Sequence, residues 1–302
     1  MAGFPNVAAW ANSDAEGRGW LSFFRKVPPS TATVTGQWFD YSTASGVPVP
    51  NYYASSPLVA ARLNTDNGIY LPPLAAGAKR WLKRHIIMSA AASVTGTTNQ
   101  NQALMLLDYL LYYPFVDLDA AGEDQVMDNT VTLPRYTDGA GVQMMMVAQA
   151  PTVGGGTFTV TFDDADGVER VTQTVNCAAA QPSGALVQAV NNAAGVSPFI
   201  PLPAGCRGVR RVKQVNVVLA NGGLAAVVLV KPIDASYVRE ESRRPTSSPT
   251  ESYGDANEVE RVRTRAGTVD LGEPFLGWIG KGTAGSLASA PLVGMIETFW
   301  ST

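Results

Sequence analysis

The sequence predicts a mainly β protein: an antiparallel β-sandwich of jelly-roll type with an extended N-terminal arm, one or two short helices and a docked C-terminal tail. Three observations predict it. Short β-branched and alternating runs recur, separated by turn signals, from about residue 130 to residue 233. The 302 residues include 29 Gly and 20 Pro, which break any long helical pattern. A hydrophobic share of 46% against 16% charged still provides a sizeable core.

Residues 1–80 form the arm. Trp10, Trp20, Trp38, Tyr41, Tyr52, Tyr53 and Tyr70 stand among Pro28-Pro29, Pro48, Pro50, Pro57, Pro72 and Pro73. Prolines at this density interrupt helix and ladder hydrogen bonds alike, so the segment is expected to run extended, with its aromatics as anchors on something else. Residues 81–238 form the sandwich core. At its start, residues 77–93 carry Lys79, Arg80, Lys83 and Arg84 before a small apolar stretch and read as a short strand with a basic flank. From Gln102 to Val116 the chain is apolar except for Asp108, a buried element that the pattern leaves open between helix and strand.

Val142–Ala148, with three methionines, reads as a core strand. Gly156–Phe162 and Val168–Val175 alternate on either side of Asp163–Gly167 and predict a hairpin. Leu186, Val187 and Val190 lie at helical spacing after Ser183, with Gly195 as a stop, and predict a short helix over 183–194. The strongest local signal follows. Val209–Leu219 and Leu224–Val230 flank Asn221-Gly222-Gly223, a pattern that predicts a long antiparallel hairpin. Both runs are nearly continuously apolar in their second halves, so both faces need cover from another sheet or another subunit. Val215, Val217, Val228 and Val230 are therefore expected in the core. Residues 239–302 begin as a solvated linker, Arg239–Arg265, with six basic and six acidic side chains. They end in an apolar tail expected to dock.

A net charge of −3 gives no warrant for binding nucleic acid or an acidic membrane as the main task. The N-terminus lacks the basic and apolar regions of a secretory signal, and no apolar run reaches membrane-spanning length, so synthesis as a soluble cytoplasmic protein is expected. Cys177 and Cys206 read as reduced structural thiols, with a disulfide between them as the lesser reading.

No catalytic motif is present, and no cofactor is expected. Asp163-Asp164-Ala165-Asp166-Gly167 has the carboxylates of a cation loop, but the closing Glu is absent and the flanking strands favour a turn. His85, the single histidine, has no acidic orienter nearby in sequence and reads as a partly exposed structural residue. Gly154-Gly155-Gly156 is followed by no Lys-Ser/Thr and reads as a connection, not a phosphate cradle. Arg207, Arg210, Arg211 and Lys213 form one basic run and Lys79, Arg80, Lys83 and Arg84 a second. Both read as charged strand faces that resist edge-to-edge aggregation or pair with an acidic neighbouring subunit.

Three segments taken together, Ala103–Leu118 (ALMLLDYLLYYPFVDL), Thr132–Val142 (TLPRYTDGAGV) and Phe199–Ile233, resemble structural proteins encoded among the virion genes of tailed bacteriophages. The resemblance covers about residues 100–235. It implies a non-enzymatic capsid decoration or cement protein, located in the virion, with the major capsid protein or other virion proteins as partners. A homo-oligomer such as a trimer is implied as well, without membrane or nucleic acid. The interface is then expected among the aromatics of arm and tail: Trp10, Trp20, Phe23, Phe24, Trp38, Trp278, Phe299 and Trp300. Two other classes compete. One is a tail or fibre module stacking glycans on Trp10, Trp20 or Trp38. The other is a glycoside hydrolase using two carboxylates from Asp117, Asp119, Glu123 and Asp124.

Overall fold

Alternation shapes the first sheet. Strand β1 (Gly19–Val27) turns Ser22, Phe24 and Lys26 inward and Leu21, Phe23 and Arg25 outward, so one face is buried and the other solvated. The computed structural model describes residues 6–27, 37–63, 68–75, 78–89, 102–178, 180–189, 197–238, 275–281 and 292–301. Within them the protein is mainly β and antiparallel, with almost no helix.

β1 pairs with β15 (Leu292–Ser301) along most of its length, with β3 (Ser45–Val47) on its other side and β5 (Lys79–Ser89) beyond β15. The tail therefore docks as an interior strand. Because β1, β5 and β15 come one each from the three sequence regions, those regions interleave in a single sheet. The basic segment near residue 80 is a strand, as its pattern suggested.

The second sheet is built on β6 (Gln102–Asp117), the apolar element whose type the sequence left open. It is a 16-residue strand, flanked by β13 (Leu224–Val238) on one side. On the other side lie β14 (Phe275–Lys281) and then β4 (Ala61–Arg62). β8 (Gln143–Ala148) extends this sheet past β13, and β2 (Trp38–Asp40) extends it past β14. The third sheet runs β10 (Glu169–Val171), β9 (Thr157–Asp164), β12 (Val209–Leu219), β7 (Asp124–Val126), with β11 (Val175–Asn176) also on β9. The β9–β10 hairpin is the one the alternation predicted.

The second sheet is buried on both faces, which explains its lack of polar alternation. Val227 and Leu229 of β13 pack with Met144 and Met146 of β8 against Phe158, Val160, Val215 and Val217 of the third sheet. Their alternates Ala226, Val228, Val230, Met145 and Val147 enter a separate cluster with Leu107, Tyr109 and Phe199. The first sheet packs Phe24, Ile87, Leu292 and Ile296 onto Leu104 and Leu106 at the start of β6. Val215, Val217, Val228 and Val230 are all buried, as expected. Truncating a core phenylalanine such as Phe158 to Ala costs about 3–5 kcal/mol in such packing.

The predicted hairpin at Asn221 is not formed. β12 and β13 lie in different sheets, and residues 220–223 carry the chain from one layer to the next. Gly222 and Gly223 do adopt the positive φ values, 71° and 88°, that the Asn-Gly-Gly signal implies. The turn backbone bonds elsewhere: Asn221 N–H donates to Leu118 O at 2.9 Å, and Asn221 O accepts from Val153 N–H at 2.9 Å. Strands with two apolar faces gain more from separate partners on both sides than from each other.

The helix expected over 183–194 is also absent from its described part, residues 183–189. Leu186 N–H donates to Trp38 O, and Val187 N–H to Met146 O. This segment thus joins β2 to β8, the two ends of the second sheet, and closes that sheet into a ring around Tyr109, Met145 and Val228. Closure removes two exposed edges, a stronger demand than the helical spacing of three apolar residues. A short helix does occur at α1 (Val7–Ala11), where Asn6 Oδ1 accepts from Ala9 N–H at 2.8 Å. The linker Arg239–Arg265 lies outside the described residues.

Candidate functional site

The N-terminal region anchors on its own chain through a buried carboxylate. Asp40, at the end of β2, accepts hydrogen bonds from Tyr109 O–H at 2.6 Å, from Ser42 N–H at 2.9 Å and from Tyr53 O–H. Burial pushes its carboxyl above the usual range, opposed by these donors, Tyr109 foremost. Lys26 Nζ sits close by and donates to Ala44 O at 3.1 Å; burial lowers its pKa to about 8, against the pull of Asp40. Tyr53 and Phe39 line a neighbouring cavity of about 210 Å³, which Asp40 itself does not line. The group therefore fastens segment 38–53 to β6 and presents no charge to solvent.

A second buried carboxylate joins two of the segments that carry the resemblance. Asp108 of β6 receives Arg135 Nε on Oδ2 at 3.0 Å and Arg135 Nη2 on Oδ1. Burial raises its pKa, and the Arg135 charge opposes that shift. Lys231 lies 3.9 Å above the Tyr136 ring and donates to Ala140 O at 2.9 Å, which pins the same 132–142 loop on β13.

On the outer face of the third sheet the first basic run is largely paired within the sheet. Arg211 Nε lies 2.6 Å from Asp163, Arg207 meets Asp166 and Lys213 meets Glu169. Asp164 organises the β9–β10 turn, accepting from Asp166 N–H at 2.9 Å, from Val168 N–H at 3.0 Å and from Arg170 Nε at 3.0 Å. These bonds, led by Val168 N–H, hold its carboxyl below the usual range. The Asp-rich stretch is thus turn chemistry, with its central carboxylate engaged by the chain. The second run is also engaged: Lys83 bonds Glu297 at 2.8 Å and lies 4.2 Å above the Phe299 ring, while buried Arg80 donates to Pro72 O.

His85 is buried, not partly exposed, with Nδ1 3.5 Å from Asp234 between the first and second sheets. Its isolation from acids in sequence hid a partner about 150 residues away. Cys177 and Cys206 are free thiols, and burial pushes that of Cys177 up to about 12. Gly156 lies against Leu219 O and Asn221, so the glycine run serves the close approach of two connections.

The eight aromatics expected at an interface divide sharply. Phe24, Trp38 and Phe299 are 4%, 5% and 1% exposed and belong to the chain's own core. Inward alternation places Phe24, and Trp38 enters the cluster with Tyr109. They are therefore not contact residues for a partner in this fold. Phe23 is 67% exposed and Trp20 37%, while Trp300 is half-buried. Trp10 and Trp278 belong to α1 and β14, and their side chains lie outside the described residues.

Phe23 does not stand alone. Register puts Leu21 beside Glu297, Phe23 beside Met295 and Arg25 between Val293 and Val47. Leu21 and Val47 are 43% and 64% exposed, so the outer face of the first sheet is an apolar surface rimmed by charge. On the opposite face of β1, Trp20 donates to Ser22 Oγ at 3.0 Å and packs edge-on to exposed Tyr70 at 5.9 Å. Sequence reasoning named Phe23 but missed Leu21 and Val47; alternation along Gly19–Val27 was the available signal. Asp117, Asp119, Glu123 and Asp124 are all exposed, from the last residue of β6 to the first of β7.

Among the described residues no helix is long and apolar enough to cross a membrane. Comparison with protein-family models, with curated proteins and with solved structures found no match.

Proposed function

We propose that this chain is a non-enzymatic structural protein of a tailed-phage virion, a decoration or cement protein that binds the major capsid lattice as a homo-oligomer. The observation that carries the reading is the apolar outer face of β1 and β15, with Phe23 at its centre. A regular sheet holding large apolar side chains in water is suited to docking on a partner, and many weak copies of one contact stabilise a shell by mass action. The carboxylates Asp40 and Asp108, by contrast, are engaged inside the scaffold. The jelly-roll topology belongs to this reading; the passage of consecutive strands from one sheet to another at residues 220–223 supports it.

Removing residues 1–60 is not a suitable test, because it deletes β1, β2 and β3, takes one of its two neighbouring strands from β15 and removes Asp40, to which Tyr109 donates. Phe23→Arg with Leu21→Glu alters only the exposed face. Occupancy of these variants on purified capsids should fall at least tenfold, with thermal melting unchanged. Undiminished occupancy by a folded variant overturns the reading. The exposed Trp20–Tyr70 pair favours one second reading, a glycan-stacking module. Binding on a glycan array that is lost in Trp20→Ala selects it.

A further inference from the structure

The ion pairs on the outer face of the third sheet leave Arg210 without a carboxylate partner among the described residues. Arg210 is exposed, and with Arg211 it lines a cleft of about 320 Å³ between segment 129–137 and the β9–β10 turn. Asp163 is the carboxylate in that lining, and Arg211 already holds it. Thr132 and Thr137 add hydroxyls, and Val131 and Leu133 add an apolar wall. A planar guanidinium above such a wall suits a carboxylate presented by a protein surface.

At the other end of β12 the charge is reversed. The connection 117–124 carries Asp117, Asp119, Glu123 and Asp124 and contains no Lys or Arg. It is fixed against the end of β12, where Gly122 N–H donates to Val217 O at 2.8 Å. Apolar surface accompanies it: Val153, Val218 and Leu219 are 75%, 53% and 56% exposed. At the rise of a β-strand, Arg210 and Val217 stand about 23 Å apart. The acidic connection therefore cannot enter the cleft of its own chain; it can enter that of another copy.

We propose that the chain associates with itself head to tail, the acidic connection 117–124 of one copy seated in the Arg210 cleft of the next. The contact is heterologous, so it closes into a ring or continues as a filament according to the rotation between copies. Carboxylate–guanidinium pairing sets the register, while Val218 and Leu219 of one copy and Val131 of the next exclude water around it. This contact supplies the homo-oligomer of the proposed function but does not require a capsid.

Sedimentation velocity of the full chain at low and high salt tests it, with Arg210→Glu, Asp119→Arg and the double variant. The wild type should assemble and weaken as salt rises. Each single reversal should weaken assembly about tenfold or more, and the double variant should regain it. Thermal melts establish that the variants fold, both positions being exposed. A wild type that stays monomeric, a folded Arg210→Glu that assembles like wild type, or a double variant no better than the singles overturns the proposal. A monomer that still coats capsids refutes this contact and spares the capsid reading; an oligomer that ignores capsids does the reverse.

Discussion

Tyr109→Phe removes a single oxygen from the centre of the molecule and should be felt well beyond its size. The phenol donates to Asp40 Oδ1 at 2.6 Å, both groups are fully buried, and Phe leaves the ring packing against Trp38 and Val228 intact. A hydrogen bond to a buried carboxylate contributes about 1.5–3 kcal/mol, so a loss of about 2 kcal/mol is expected. At this chain length that lowers the melting midpoint by about 3 °C. The penalty should depend on pH. Burial holds the Asp40 pKa above its unfolded value, so its contribution is full at low pH and lost as pH rises through the folded value. Removing the foremost opposing donor raises that value further. Urea unfolding of wild type and variant should therefore give a larger difference at high pH, above the folded value, than at low pH. Equal differences at both pH values, or a total below about 0.5 kcal/mol, would refute the placement of an ionisable Asp40 at this junction.

Lys26 titrates in the folded state at about 8, below its usual 10.5, so the unfolded chain binds the extra proton between those values and stability rises with pH there. Between about pH 8 and pH 9 this gives about 1 kcal/mol, and Lys26→Met should flatten the slope of stability against pH in that interval; an unchanged slope contradicts a buried Lys26. Gly208 has φ +153°, and a Cβ there would lie 2.1 Å from Gly139 O. Gly208→Ala should cost about 3 kcal/mol or more in urea unfolding, and a loss within about 0.5 kcal/mol would show that the 139–142 loop is not held against this strand.

Much of the layering was legible because burial on two faces leaves its mark on sequence. Met144-Met145-Met146 and Ala225–Val230 carry no polar alternate, and each became a strand with one set of side chains in either cluster. What sequence could not supply was the identity of the partners. Asn221-Gly222-Gly223 specifies that the chain turns with positive φ, a local property, whereas pairing depends on which strands offer complementary faces at long range. The same limit explains segment 183–189. Three apolar residues at helical spacing weigh less than the unmet hydrogen bonds of Trp38 and Met146, which lie far away along the chain.

The sites follow the same logic, and the contrast between Asp40 and Arg210 shows why. Asp40 looks ordinary in sequence, and its burial is created by Tyr53 and Tyr109, drawn from two other segments. Arg210 looks like one of four similar cations, and register alone sets it apart. Across β9 and β12, Arg211 stands opposite Asp163, and Lys213 and Arg207 find Glu169 and Asp166. Among the described residues the basic run is thus a paired surface with one charge left over, and the acidic connection is held about 23 Å away by the strand between them. Charges that a rigid strand keeps apart within one subunit are satisfied between subunits or by solvent. The salt dependence of self-association distinguishes these two cases, because solvent-satisfied charges give none.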